Sequence, residues 1–404
     1  MIGEKGIRIW IEGREFKGAK EKEVSLDMED FSASFSFTCR DQEANADALV
    51  AALGPWNARL KAQKKVKITV SGQLVLVGKI EKRSSEFSDQ TAEITLSGRC
   101  KAGDMVDCAA MTKGPAEFKN VKLEDAAKKI AAPYGLGVRS EIDTGEPFPR
   151  YSLDLAETAH RAIEKGARQR QALAMSDGIG NIVITRAGSK KAAGAINAPG
   201  NVKSVSMGED CTGRFSETIV HGQHEKAGKE RKGDAALDKT AEPLTPAARA
   251  GGDGEATKQE RKGTVAKGVA KDEEVEGYRP KVYLARTKAE QMSAQEEAEW
   301  RRNTARGKGE QITYVVYGHD VDGELWRPNT IAPVKDRYNA IDRDMLISKV
   351  RLHETEDEAM DTELTVTSPE AFAKSKGGGT TGGKGAKSRT NKASGKLDTT
   401  AERL

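Results

Sequence analysis

Residues Phe31, Ala33, Phe35, Phe37 and Cys39 alternate without a break with Ser32, Ser34, Ser36 and Thr38. A period of two puts every apolar side chain on one side of an extended chain and every hydroxyl on the other. The segment is therefore a β-strand with one buried and one wet face, since a helix would repeat its apolar positions every three to four residues. Ile7, Ile9 and Ile11 repeat the pattern, VKITV and LVLVGKI flank a hairpin turn at Ser71-Gly72-Gln73, and AEITLSG follows. Short strands separated by Gly-containing turns predict a small antiparallel barrel or sandwich over residues 1–100.

The periodicity changes over residues 101–200. Leu123, Ala126, Ala127, Ile130 and Ala131 fall on one face of a helix that Pro133 and Gly135 stop. Ala159, Ala162, Ile163 and Ala167 make the narrow stripe of a second helix, followed by a Gly-rich turn and a strand in SDGIGNIVITR. These are small α/β modules. A second β domain begins at 201–224 and resumes over 277–372 with YRPKVYLA, QITYVVYG, LWRPNTIAPV, DMLISKVRLHE and TELTVTS. Thr287 and Glu290 form a capping box for a helix running to about Arg306. The fold class is α+β, with two antiparallel β domains of similar layout bracketing the modules.

Two stretches lack an apolar face. Residues 225–276 mix Lys, Glu, Gly and Ala without an aromatic until Tyr278, and 373–404 are rich in Lys, Gly, Ser and Thr. Such compositions bury too little apolar surface to offset chain entropy, so a flexible charged insertion and a disordered tail are expected. The 66 basic and 62 acidic side chains nearly cancel, and this balance does not point to nucleic acid. No run approaches the roughly 20 apolar residues that span a bilayer, and the N-terminus lacks the apolar core of a secretory signal, so no membrane association and folding in a cytoplasm are expected. The four cysteines show no CxxC pair, which favours free thiols.

The titratable and Gly-rich motifs of the chain read as structure. HGQH, with His221 and His224, lacks further ligands at usable spacing, so no metal and no cofactor are expected. HETEDEAMD, residues 353–361, lacks the ligand alternation of a calcium loop and reads as a charged turn between strands. In DGIGN at 177–181 the helix precedes and the strand follows, the reverse of a dinucleotide fingerprint. No G-x-S-x-G elbow occurs. The basic stretches KAQKKVK and KERK have acidic residues nearby and few aromatics, so solvated surface is the default. Trp326 is assigned to the core of the second β domain, Pro328 to the end of a strand and Asn329 to the bend before IAPV resumes it.

The succession GRCKAGDMVDCAA, LEDAAKKIAAPYGLGV, LAETAHRAIEKGARQRQALAMSDGIGNIVITRAG, GRFSETIVHG, YRPKVYLA, LWRPNTIAPV and DMLISKVRLHE resembles the baseplate hub proteins of Mu-like contractile-tailed bacteriophages. The resemblance implies two similar β-barrel domains per chain and no active site. It implies a homotrimer whose pseudo-sixfold ring joins a sixfold tail tube, or distal tube protein, to a trimeric central spike among other baseplate proteins. The virion baseplate, assembled in the host cytoplasm, is then the location. A cell-wall hydrolase carried on the hub and a DNA-binding protein acting through the basic insertion are the rival readings.

Overall fold

The computed structural model describes residues 6–41, 60–87, 92–112, 114–170, 172–223, 265–284, 294–357 and 359–371. Seven strands make the first β domain: β1 (Ile7–Ile11), β2 (Arg14–Phe16), β3 (Glu21–Asp27), β4 (Ser34–Asp41), β5 (Lys65–Val70), β6 (Gln73–Phe87) and β7 (Ala92–Cys100). The alternation that opened the sequence places Phe35, Phe37 and Cys39 of β4 in the core beside Ile7, Ile9 and Ile11 of β1. β5 and β6 meet through Ser71 and Gly72, whose positive φ values of 46° and 75° match a two-residue hairpin loop.

The modules comprise α1 (Gly103–Asp107), β8 (Glu117–Val121), α2 (Leu123–Ala131), β9 (Gly137–Ser140), β10 (Phe148–Ser152), α3 (Ala159–Gln169), β11 (Leu173–Ser176) and β12 (Asn181–Thr185). The expected apolar faces of α2 and α3 are buried. Gly135, at φ 65°, follows the short 3₁₀ turn that ends α2. Thr158 caps α3 by accepting from the Arg161 N–H, whereas Lys122 before α2 makes no such bond. Asp177 holds the DGIGN turn by accepting from the backbone N–H groups of Ile179, Gly180 and Asn181. That turn lies on the first β domain, where Val77 N–H donates to the Gly178 carbonyl at 2.9 Å.

The second β domain begins earlier than residue 201. β13 (Lys190–Lys191) and β14 (Ile196–Ala198) already join it, followed by β15 (Val202–Glu209). The next strand, β16 (Glu217–Gln223), instead centres a small sheet between β17 (Val265–Lys271) and β18 (Pro280–Leu284), against which α4 (Ala294–Gly309) packs. The strand β17 corrects the expectation of a flexible segment through 276. Its buried positions are Gly268 and Ala270, because a Cβ on Gly268 would lie 2.1 Å from the Ala294 carbonyl oxygen. Close helix packing thus removed the large apolar residues that would have marked a strand. α4 continues past Arg306 to Gly309, while the Thr287/Glu290 capping box, residues 224–264 and the tail from 372 lie outside the described residues. The domain is completed by β19 (Glu310–Tyr317), β20 (Asp320–Val321), β21 (Glu324–Leu325), β22 (Thr330–Asp336), β23 (Ile341–Glu354) and β24 (Met360–Thr367).

Both β domains belong to one 14-stranded sheet, ordered β15-β19-β24-β23-β3-β4-β7-β6-β5-β1-β2, with β22 on β23 and β13 and β14 on β22. Most ladders are antiparallel, and helices are few. The expectation of two separately closed barrels is not met by the hydrogen bonding among the described residues. The path is open, and β3, an edge of the first half, is taken up by β23.

The halves nevertheless repeat one another. The first half reads β3-β4-β7-β6-β5-β1 and the second β15-β19-β24-β23-β22-β14, with strands of matching chain rank in matching places. Phe35, Phe37 and Cys39 of β4 correspond to Ile312, Tyr314 and Val316 of β19, all buried. One ladder departs from the repeat: β1 runs antiparallel to β5, whereas β14 runs parallel to β22.

Candidate assembly seam

The long strand β23 changes partner halfway. On one edge it pairs with β22 as far as Ile347, after which its register against β24 shifts and Ser348 bulges out. Residues 349–354 then offer that edge to β3, pairing Lys349 with Asp27, Val350 with Leu26, Arg351 with Ser25, Leu352 with Val24, His353 with Glu23 and Glu354 with Lys22. Alternation sends Val350, Leu352, Val24 and Leu26 into the shared core. On the other face lie charges of opposite sign: Lys349 stands 3.7 Å from Asp27, and Arg351 lies between Glu23 at 3.3 Å and Glu363 at 3.5 Å. These partly exposed pairs select register more than they add stability.

The buried end of the seam is Glu354. Its carboxylate accepts from the Ile7 N–H and from Lys22 Nζ at 2.6 Å, and the same ammonium donates to the Ile7 carbonyl at 3.0 Å. Glu354 closes a small network across β1, β3 and β23. A second bridge runs between hairpins, where Ser71 Oγ donates to Asp320 Oδ1 at 2.9 Å and Gln73 Nε2 to the Gly323 carbonyl at 2.7 Å.

Trp326 is 1% exposed in the connection between β21 and β22, and its backbone N–H donates to the His319 carbonyl. Pro328 is half-buried in the turn that precedes β22. Asn329, buried at φ 62°, accepts from Gly188 N–H at 2.7 Å and donates to the Arg186 carbonyl at 3.1 Å, tying the end of the modules to β22. None of the three is among the residues paired at the seam.

Sequence reasoning passed over Lys22, Asp27, His319 and Glu354. Glu354 lies in the HETEDEAMD run read as a turn; the turn does lie between β23 and β24, but this carboxylate belongs to the strand. His319 is buried, its Nδ1 is 3.1 Å from Thr362 Oγ1, and that hydroxyl donates to the Gly318 carbonyl. The imidazole is thus a Nδ1–H donor, leaving Nε2 buried without a partner. Burial pushes its pKa down to about 4, against the opposing pull of Glu354, Asp320 and Asp361.

Elsewhere, a cleft of about 370 Å³ is lined by Asp210, Thr212, Tyr283, Trp300, Arg301 and Lys308, among others. Arg214 and Asp272 form a buried bidentate pair nearby. His221 lies in β16, half-buried, and His224 is outside the described residues. Among the described residues no group of three or more His, Cys, Asp or Glu could hold a metal ion, and no helix is long and apolar enough to cross a membrane.

Comparison with known proteins agrees with this architecture region by region. Residues 6–100 match the N-terminal domain of the Mu phage baseplate assembly protein GpP-like family, 102–186 the second domain of the baseplate hub protein gp44-like family, and 290–375 the fourth domain of Mu phage baseplate assembly protein GpP. The baseplate hub protein gp44 of Escherichia phage Mu is 31% identical over 318 residues, 76% of each chain. The 43 kDa tail protein of prophage MuSo2 from Shewanella oneidensis superposes with a TM-score of 0.70 at 25% identity, over 91% of this chain and 99% of that one. The tail protein from Neisseria meningitidis MC58 shares the fold, with a TM-score of 0.66 at 20% identity over 91% and 98% of the two chains. The chain belongs to the Mu-type baseplate hub family, structural proteins of the bacteriophage tail.

Proposed function

We propose that three copies of this chain form a pseudo-sixfold ring in the baseplate, built in the host cytoplasm, that joins a sixfold tail tube to a trimeric spike. The observation that carries the reading is the tandem repeat of one strand order, β3-β4-β7-β6-β5-β1 and β15-β19-β24-β23-β22-β14, within a single sheet. Two like units per chain, taken three times, present six like surfaces on one face while the chain itself keeps threefold symmetry. Trp326, Pro328 and Asn329 serve this role indirectly, by shaping the second β domain. In this reading the chain acts as a scaffold without an enzymatic step, and the seam carboxylates Asp27, Glu23 and Glu354 serve strand pairing through Lys349, Arg351 and Lys22. Light scattering of the full chain co-expressed with its spike protein is expected to give a particle containing three hub chains. A monomer under those conditions overturns the proposal.

A further inference from the structure

The intramolecular seam is a template for a contact between copies. The ladder of β6 with β7 shifts between Ile80 and Lys82, as the ladder of β23 with β24 shifts between Ile347 and Lys349. Aligned on that shift, Lys82 takes the place of Lys349 and Glu86 the place of His353. Before the shift β6 pairs with β5 as β23 pairs with β22. Beyond it β23 gives its edge to β3, whereas among the described residues the matching edge of β6 has no ladder partner and residues 82–86 are exposed.

The counterpart of β3 is β15. Val24 pairs with Phe35 of β4, and Met207 pairs with Ile312, the residue of β19 that matches Phe35. Among the described residues β15 ends the sheet, its outer edge carries no ladder, and most of its residues are exposed. Among the described residues one half of the molecule therefore keeps an open donor edge and the other an open acceptor edge, and both equivalents are engaged at the seam.

From this repeat we infer that residues 82–86 of one copy pair antiparallel with residues 206–210 of a second copy, repeating the β23–β3 seam between chains. Transferring the seam register sets Lys82 opposite Asp210, Arg83 opposite Glu209, Ser84 opposite Gly208, Ser85 opposite Met207 and Glu86 opposite Ser206. The charges agree with the template. Lys82 and Asp210 reproduce Lys349 and Asp27, which stand 3.7 Å apart, and Arg83 meets Glu209 where the seam has an apolar pair. Replacing apolar residues by charged ones keeps both edges soluble before assembly and discourages pairing with other strands. The contact joins different surfaces of the two copies, so it propagates head to tail and closes only if the rotation closes. The inference deepens the trimeric-ring reading and rests on it.

Disulfide trapping tests it in the full chain with Cys108→Ser and Cys211→Ser, which removes the exposed thiols. Ser84→Cys with Gly208→Cys puts two thiols directly opposite across the predicted ladder, within the roughly 4.4–6.8 Å between Cα atoms that a disulfide spans. Oxidation is expected to yield covalent species of two and three chains and nothing larger, while the out-of-register pair Ser84→Cys with Ser204→Cys stays monomeric on a denaturing gel. Independently, K82E/R83E is expected to weaken self-association at least about tenfold with circular dichroism unchanged, and adding E209K/D210K to restore it. If the wild-type chain assembles but the in-register pair gives no cross-link and charge reversal has no effect, this contact is wrong and the ring reading stands. A wild-type chain that stays monomeric at every concentration, alone and with the spike, overturns both.

Discussion

Glu354 receives its hydrogen bonds from residues more than three hundred positions away in the chain, the Ile7 N–H and the Lys22 ammonium. Gly6 leaves room for it, since a Cβ there would lie 2.7 Å from Glu354 Oε2 and the backbone is at φ 91°. Glu354→Ala strands a buried N–H and a part-buried cation, and is expected to cost about 2–3 kcal/mol in urea unfolding at unchanged m. Glu354→Gln, which keeps the acceptor, is expected to cost about half as much. His319 acts in the opposite sense. Protonation at Nε2 would create a buried donor with no acceptor, so the folded chain holds it neutral, with its pKa down at about 4 against an ordinary 6.5. The unfolded chain then binds the extra proton between those values. This contribution to stability is complete above about pH 6.5 and is lost as pH falls towards 4. The loss attributable to His319 between pH 7 and pH 5 is about 2 kcal/mol. His319→Gln is expected to remove that part of the slope when urea midpoints are compared at the two pH values.

At the scale of elements, the docking of the modules depends on a close approach of two backbones. Gly178 sits at φ 78°, and a Cβ there would lie 2.5 Å from the Val75 carbonyl oxygen of β6. Gly178→Ala is expected to lift the DGIGN turn and weaken the bond from Val77 N–H. The predicted effect is about 1–3 kcal/mol, read as faster amide hydrogen exchange at Val77 while β12 stays protected. Such elements were legible in the sequence wherever large apolar residues face a core at a fixed period, as in Phe35 and Phe37 or Leu123 and Ile130. β17 was not, because α4 lies so close that only Gly268 and Ala270 fit on its inner side. The seam was not legible either. Glu354 has the composition of a solvated turn, and only a pairing between strands distant in sequence reveals that its carboxylate is buried. Asn329 was expected at a bend from its position after Pro328, whereas its hold on Gly188 and Arg186 depends on a partner loop 141 to 143 positions away.

Across the whole molecule, two copies of one strand order meet in a single sheet; the similar layout of the two β domains was expected from the sequence, but the strand-by-strand match needed the ladders, because the matched strands share burial pattern more than identity. Phe37 and Tyr314 fill like positions with different chemistry: the Tyr314 hydroxyl reaches Asp336 at 3.1 Å. The small sheet is the place where this plan admits additions. Gln223 at the end of β16 faces Val265 at the start of β17 across the ladder. The two mouths of the intervening stretch thus stand one strand spacing apart, about 5 Å. Whatever is threaded between them starts and finishes at the same doorway, so its length is free to vary without tugging on the scaffold. Excising residues 224–264 in favour of a short Gly-containing turn is expected to leave the melting temperature within about 2 °C. By the same reasoning a foreign domain spliced at that doorway would ride on the baseplate as cargo.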